Sequence, residues 1–123
     1  MNQYSIKKDK YKSSREGGSH LFNLFCSKCG EFFALYQKDG EGALVRLYLD
    51  RIIAPSELSR LQLKVNDKAE MPNLKCSNCS TLIGIPMLYK KEKRLAFKLI
   101  PGLFMKRRSS GIYLDDGVIK RVQ

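Results

Sequence analysis

The four cysteines of this chain form two Cys-x-x-Cys pairs, Cys26–Cys29 and Cys76–Cys79, with 46 residues between them. A tight turn of this form brings its two sulfurs within about 4 Å of each other, the spacing of thiolates around a tetrahedral zinc ion. Sites closed by four protein ligands are structural, whereas catalytic zinc keeps one position open. The pattern therefore predicts a structural Zn²⁺ ion held by Cys26, Cys29, Cys76 and Cys79.

Other uses of the four cysteines are weaker interpretations. The start of the chain is polar and lysine-rich and shows no secretory signal, so we expect a cytoplasmic protein whose thiols stay reduced rather than form disulfides. Two pairs of the same form favour one tetrahedral site over a redox Cys-x-x-Cys. Iron at the same four sulfurs stays open, because spacing alone does not distinguish the two metals.

An internal repeat with an offset of 50 residues supports one shared site. At this offset the first cysteine pair overlies the second without a gap. Gly30, which can supply the positive φ that such a turn often needs, overlies Ser80. The apolar positions Val45, Leu47 and Leu49 overlie Leu95, Phe97 and Leu99, and we expect all six to face inward. Each half of the chain is therefore predicted to be a cysteine turn followed by two strands.

Alternating apolar residues around glycine-containing or polar turns predict two β-hairpins. The first would pair residues 31–38 with residues 43–49, and the second would pair residues 81–89 with residues 94–100. Residues 55–61 form the best candidate for a short helix, because Ser56 can cap it. The predicted fold is mainly β, with two antiparallel hairpin units joined at the four-cysteine zinc site and one short helix.

This arrangement of paired cysteine turns, each opening onto an antiparallel sheet, resembles the zinc ribbon and the β-tent. The β-tent is shared by Yippee-like proteins, the cereblon ligand-binding domain and the methionine sulfoxide reductase B class, and the spacing of about 46 residues is closer to that group. The catalytic and ligand-binding features of these families are absent from the sequence. It has no fifth cysteine, no histidine at residues 80–90 and no tryptophan. The resemblance therefore implies the fold without the reductase activity.

Composition divides the chain into three predicted regions. Residues 1–20 are basic and poor in apolar side chains, and we expect a disordered leader because they bury too little surface to offset the entropy of ordering. Residues 21–105 would form the zinc-binding β domain. Residues 106–123 would form a basic C-terminal extension.

The net charge of +11 is concentrated near the C-terminus, since residues 86–108 hold eight bases and one acid. Clustered lysines and arginines bind phosphates by releasing counterions. The predicted nucleic-acid-binding residues are Lys90, Lys91, Lys93, Arg94, Lys98, Lys106, Arg107 and Arg108. Tyr48 is the aromatic residue that we expect to contact a base, because strand alternation places it on an outer face.

The sequence holds none of the usual catalytic motifs, and all four sulfurs are assigned to metal. We therefore expect a non-enzymatic zinc-binding module that binds RNA, DNA or a ribonucleoprotein through its basic hairpin. The alternative is a protein-protein interaction adaptor with a structural zinc site and an acidic partner. Neither interpretation includes a membrane or a small-molecule substrate.

Overall fold

The computed structural model describes residues 2–3, 6–7, 9, 11 and 18–113. The strands are β1 (Asn2–Gln3), β2 (Ser19–Cys26), β3 (Phe32–Asp39), β4 (Arg46–Tyr48), β5 (Ile52–Ala54), β6 (Leu74–Lys75), β7 (Leu82–Tyr89), β8 (Arg94–Leu99), β9 (Phe104–Arg108) and β10 (Ile112–Tyr113). Two consecutive helical turns, α1 (Ser56–Ser59) and α2 (Leu61–Lys64), follow β5. Within these residues no helix is both long and apolar enough to cross a membrane.

The described strands form two four-stranded sheets. Sheet I has the order β5-β3-β2-β9, and sheet II has the order β4-β8-β7-β6. Each neighbouring pair is antiparallel, and β1 pairs separately with β10. The predicted mainly β fold with two antiparallel units and a short helix is confirmed.

The second predicted hairpin is confirmed, but the pairing predicted for the first is wrong. Strands β7 and β8 pair from Tyr89–Arg94 outward across the turn at residues 90–93. Strand β3 does not pair with β4; its neighbours are β2 and β5, and β4 pairs with β8 in sheet II. Alternation predicts a strand but not its partner. The first cysteine turn closes the β2–β3 hairpin, and the chain after β3 crosses to the other sheet.

The two halves of the chain exchange strands. Strand β4 belongs to the first half by sequence but lies at the edge of sheet II, whereas β9 belongs to the second half and lies at the edge of sheet I. One hydrophobic cluster contains residues of both sheets, including the fully buried Leu24, Leu47, Ile83 and Phe97. The two sheets therefore share one core.

Most of the predicted inward positions are correct. Leu47, Leu49, Phe97 and Leu99 are buried, and Leu95 is partly buried against the same core. The prediction for Val45 is wrong, since it is 51% exposed. Val45 precedes β4, so strand alternation does not govern where its side chain points.

The predicted division into three regions stays a prediction, because most of residues 1–17 and all of residues 114–123 lie outside the described residues. Its boundaries fall within strands, since β2 begins at Ser19 and β9 spans residues 104–108. The described part of the leader contacts the domain. Ile6 packs against a second small cluster of Leu21, Leu35 and Ala54.

Candidate metal centre

The four cysteine sulfurs converge at one point where the two sheets meet. All four Sγ atoms lie within 4.8 Å of one another. Two contacts join the pairs: Cys26 Sγ lies 3.7 Å from Cys79 Sγ, and Cys29 Sγ lies 3.6 Å from Cys76 Sγ. Tetrahedral zinc with Zn–S bonds of about 2.3 Å requires sulfurs about 3.8 Å apart. The donor set and its spacing therefore fit a tetrahedral metal ion.

The two cysteine turns have the same backbone hydrogen bonds. The Cys26 amide donates to the Glu31 carbonyl at 2.9 Å, and the Cys76 amide donates to the Thr81 carbonyl at 2.9 Å. Each turn also closes from residue five to residue one, with Gly30 to Cys26 and Ser80 to Cys76 both at 2.8 Å. The repeat with an offset of 50 is therefore a structural repeat at the site.

Gly30 and Ser80 both adopt the left-handed conformation, with φ values of +81° and +65°. The sequence-based expectation that Gly30 supplies a positive φ is correct. Ser80 adopts the same conformation although it carries a Cβ atom, which makes this conformation costly for a non-glycine residue. The second cysteine turn therefore holds Ser80 in a conformation that a non-glycine residue rarely adopts.

Strand ends and one loop hold the cysteines in position. Cys26 is the last residue of β2 and Cys76 follows β6, and both are buried, whereas Cys29 and Cys79 are exposed. The loop before β9 contacts the first turn. The Ser27 amide donates to the Leu103 carbonyl at 3.1 Å, and the Ser27 hydroxyl donates to the Gly102 carbonyl at 2.8 Å. The loop that leads into β9, contributed by the second half, therefore supports the cysteine turn of the first half.

Thr81 is a neighbour of the site that sequence reasoning missed. Its Oγ1 lies 3.0 Å from Cys79 Sγ. The hydrogen bond from this hydroxyl, together with the Thr81 backbone, holds the pKa of Cys79 below its ordinary value, whereas burial raises the pKa of Cys76. The only indication in the sequence is the hydroxyl side chain of Thr81, two residues after Cys79. The corresponding residue after the first pair is Glu31, so this interaction belongs to the second turn.

The predicted nucleic-acid-binding residues lie on two sheets. Lys90, Lys91 and Lys93 are exposed in the β7–β8 turn, and Lys98 is exposed on β8. Lys106, Arg107 and Arg108 are exposed on β9, at the edge of sheet I. Lys106 Nζ lies 4.6 Å from the centre of the Phe22 ring, and Arg108 Cζ lies 5.7 Å from it. The structure therefore splits one basic segment of sequence into a basic turn and a basic edge strand.

Arg94 does not belong to this exposed set. It is 5% exposed, and its guanidinium donates to Asp50 at 2.7 Å and to Glu92 at 2.9 Å. Its Cζ atom lies 3.9 Å from the Tyr11 ring centre and 3.8 Å from the Tyr48 ring centre. The prediction that Arg94 contacts phosphate is corrected, because its charge is enclosed and paired within the protein.

The prediction that Tyr48 contacts a base is also corrected. Tyr48 is 7% exposed, and its backbone amide donates to the Tyr36 hydroxyl at 2.8 Å. Its ring packs edge-on against Tyr89 with centroids 5.9 Å apart. Alternation placed Tyr48 on an outer face, but Tyr11, Arg94 and Tyr89 cover that part of the face.

A second buried arginine, Arg51, was not identified from the sequence. It is 1% exposed and donates to Asp39 at 2.9 Å and, through two bonds of 2.9 and 2.6 Å, to Asp9. These bonds hold the pKa of Asp9 well below its usual range. Asp9 lies in the leader, where composition gives no signal for a buried ion pair.

No family model, curated protein or solved structure matches this chain. What the site does is therefore inferred from its geometry.

Proposed function

We propose that this protein is a non-enzymatic zinc-binding module. Its basic turn binds nucleic acid, with RNA favoured, or a ribonucleoprotein. The observation that carries the metal assignment is the convergence of four sulfurs within 4.8 Å. Zinc is preferred over iron as the ion because a closed site of four thiolates, joining two separate parts of a small domain, is typical of structural zinc. The resemblance to the β-tent agrees with two antiparallel sheets that meet at such a site.

In this proposal the ion has a mechanical role. Cys26 and Cys29 anchor sheet I, whereas Cys76 and Cys79 anchor the start of sheet II. The ion would tie the two sheets together at one end and leave the β7–β8 turn at the other end of β7. Cytoplasmic conditions would keep the four cysteines available as thiolates.

The charge of the β7–β8 turn supports nucleic acid as the partner. Lys90, Lys91 and Lys93 are exposed, and among the described residues none of them forms an ion pair with an acid. Phosphate contacts to unpaired lysines release counterions, which gives sequence-independent affinity. Arg94 contributes by fixing the end of the hairpin rather than by touching phosphate.

Binding of labelled RNA and DNA, measured by fluorescence anisotropy at several salt concentrations, tests this function. Affinity should fall steeply between about 50 and 200 mM salt. The double variant Lys90→Gln/Lys91→Gln should reduce the slope of log affinity against log salt by about two. The variant Arg60→Gln/Lys64→Gln removes the same charge from the exposed helical region and should leave the slope unchanged.

Two results would contradict the proposal. Equal effects of the two double variants would mean that net charge alone drives binding. Absence of binding at low salt would favour the adaptor with an acidic protein partner.

A further inference from the structure

An open cleft of about 690 Å³ lies between the β7–β8 turn and the segment that follows α2. Its lining includes four bases and two acids, so its balance of charge is positive. The volume falls within the range of ligand pockets in proteins. Sequence reasoning identified only the turn, because the opposite wall comes from residues 66–69, which carry no motif.

The cationic side of the cleft combines residues from both walls. Lys90 and Lys93 come from the turn, and Lys68 comes from the opposite wall. All three are exposed. Arg94 also lines the cleft, and its Nε atom is buried without a hydrogen-bond partner in the described part of the chain. This atom is enclosed, and the other guanidinium nitrogens are paired with Asp50 and Glu92, so Arg94 shapes the wall while the exposed lysines are the groups that an anion can reach.

The remaining wall is apolar. Leu88 and Leu95 lie on the hairpin next to the lysines, with Leu49 behind them. Leu88 is 42% exposed, so its side chain is accessible to a ligand in the cleft. Asp67, at the opposite wall, offers carboxylate oxygens that can accept from hydroxyl or amino groups. A ligand that suits this cleft has an anionic group, a flat apolar surface and hydrogen-bond donors.

We propose that the cleft binds one nucleotide unit, with its phosphate against Lys68, Lys90 and Lys93 and its base against Leu88 and Leu95. This inference rests on the proposed function and narrows it. A base inside a duplex is stacked and paired, so it cannot enter such a cleft, whereas a base of a single strand can be splayed out. The preferred partner is therefore single-stranded nucleic acid.

Two pairs of matched variants test the cleft with a labelled single-stranded RNA. Lys68→Gln should reduce the salt slope of binding by about one, whereas Lys64→Gln removes an equal charge outside the cleft and should not change it. Leu88→Ser should weaken binding about fivefold through the lost apolar contact. Ile85→Ser is its control, because Ile85 is also 42% exposed on β7 but does not line the cleft. Circular dichroism verifies that each variant is folded.

The outcomes separate this inference from the proposed function. If the cleft variants and their controls behave alike, or if duplex RNA binds as tightly as the single strand, the cleft proposal is overturned and the basic turn remains the interface. If the unmodified protein binds no nucleic acid at low salt, both proposals fail. Binding of adenosine monophosphate as tight as that of the strand, and weakened by Lys68→Gln, would support the cleft with a free nucleotide as its occupant.

Discussion

Gly30 and Ser80 occupy the same position in the two cysteine turns, with the same left-handed backbone and the same closing hydrogen bond. Because the two positions are equivalent, each residue can be replaced by the other, and the two substitutions can be compared. Space does not limit either change, since a Cβ atom built on Gly30 meets nothing within 4 Å. The difference between the residues is therefore one of backbone strain.

Gly30→Ser should lower the free energy of unfolding of the metal-loaded protein by about 1–2 kcal/mol, because a side chain disfavours positive φ. Ser80→Gly should raise it by a similar amount, about 1–2 kcal/mol, because in an equivalent turn the reverse change removes the same backbone strain. Urea denaturation monitored by circular dichroism measures both. A Ser80→Gly variant that loses as much stability as Gly30→Ser would show that the two turns are not equivalent.

The cluster of four cysteines was predictable from sequence, because a Cys-x-x-Cys turn is local and its spacing is specific. The partners of Arg94 and Tyr48 were not predictable. Strand alternation predicts which face of the sheet a side chain occupies, but it does not show which residues pack over that face. Here Tyr11 packs against Arg94, although the composition of the leader indicated disorder. The sequence shows Thr81 two residues after the second cysteine pair, but only the folded turn places its hydroxyl against Cys79.

At the scale of elements, Ile6 and Lys7 of the leader contact sheet I. The Lys7 amide donates to the Gln37 side-chain oxygen at 2.6 Å, and Gln37 Nε2 donates back to the Lys7 carbonyl at 3.0 Å. Asp9 then closes on Arg51, which is buried beside Asp39. Polar side chains on β3, together with Arg51 beside it, therefore bind this part of the leader.

Asp9→Asn should destabilise the protein by about 2 kcal/mol at neutral pH, because charge-assisted hydrogen bonds to a buried arginine are lost. The pKa of Asp9 is lowered in the folded state, so this stabilisation is complete above the ordinary carboxyl value. It should disappear as the pH falls below about 4 towards the lowered value. Thermal unfolding of both proteins across pH measures the difference, with Asp67→Asn as the control. A difference that is independent of pH would contradict this account.

The second hairpin could be predicted because its two strands are adjacent in sequence and its turn is polar. The first could not, since β3 pairs with a strand that precedes it and with β5 beyond a crossing segment. Alternation within a segment predicts that it is a strand but does not indicate which other strand it pairs with. The same limitation hid the cleft, whose walls are separated by about twenty residues of sequence.

At the scale of the whole molecule, removal of the metal should unfold the domain. Zinc bound by four thiolates contributes about 10–16 kcal/mol in small peptides, which matches or exceeds the stability of a typical domain. Treatment with a chelator should therefore abolish the cooperative thermal transition seen by circular dichroism, and added Zn²⁺ should restore it. A chelated protein with an unchanged melting curve would refute the structural role of the ion.

The exchange of β4 and β9 between the halves has a consequence for synthesis on the ribosome. When residues 1–80 have emerged, β2 has no neighbour on its outer side and β4 has no sheet to join, because β8 and β9 have not yet left the ribosome. The nascent chain already holds all four thiols at that stage, so a metal ion can close the ring of ligands before either sheet is complete. Strands β8 and β9 would then add to a metal site that has already formed. The sheets would therefore be completed in the order in which their strands are synthesised.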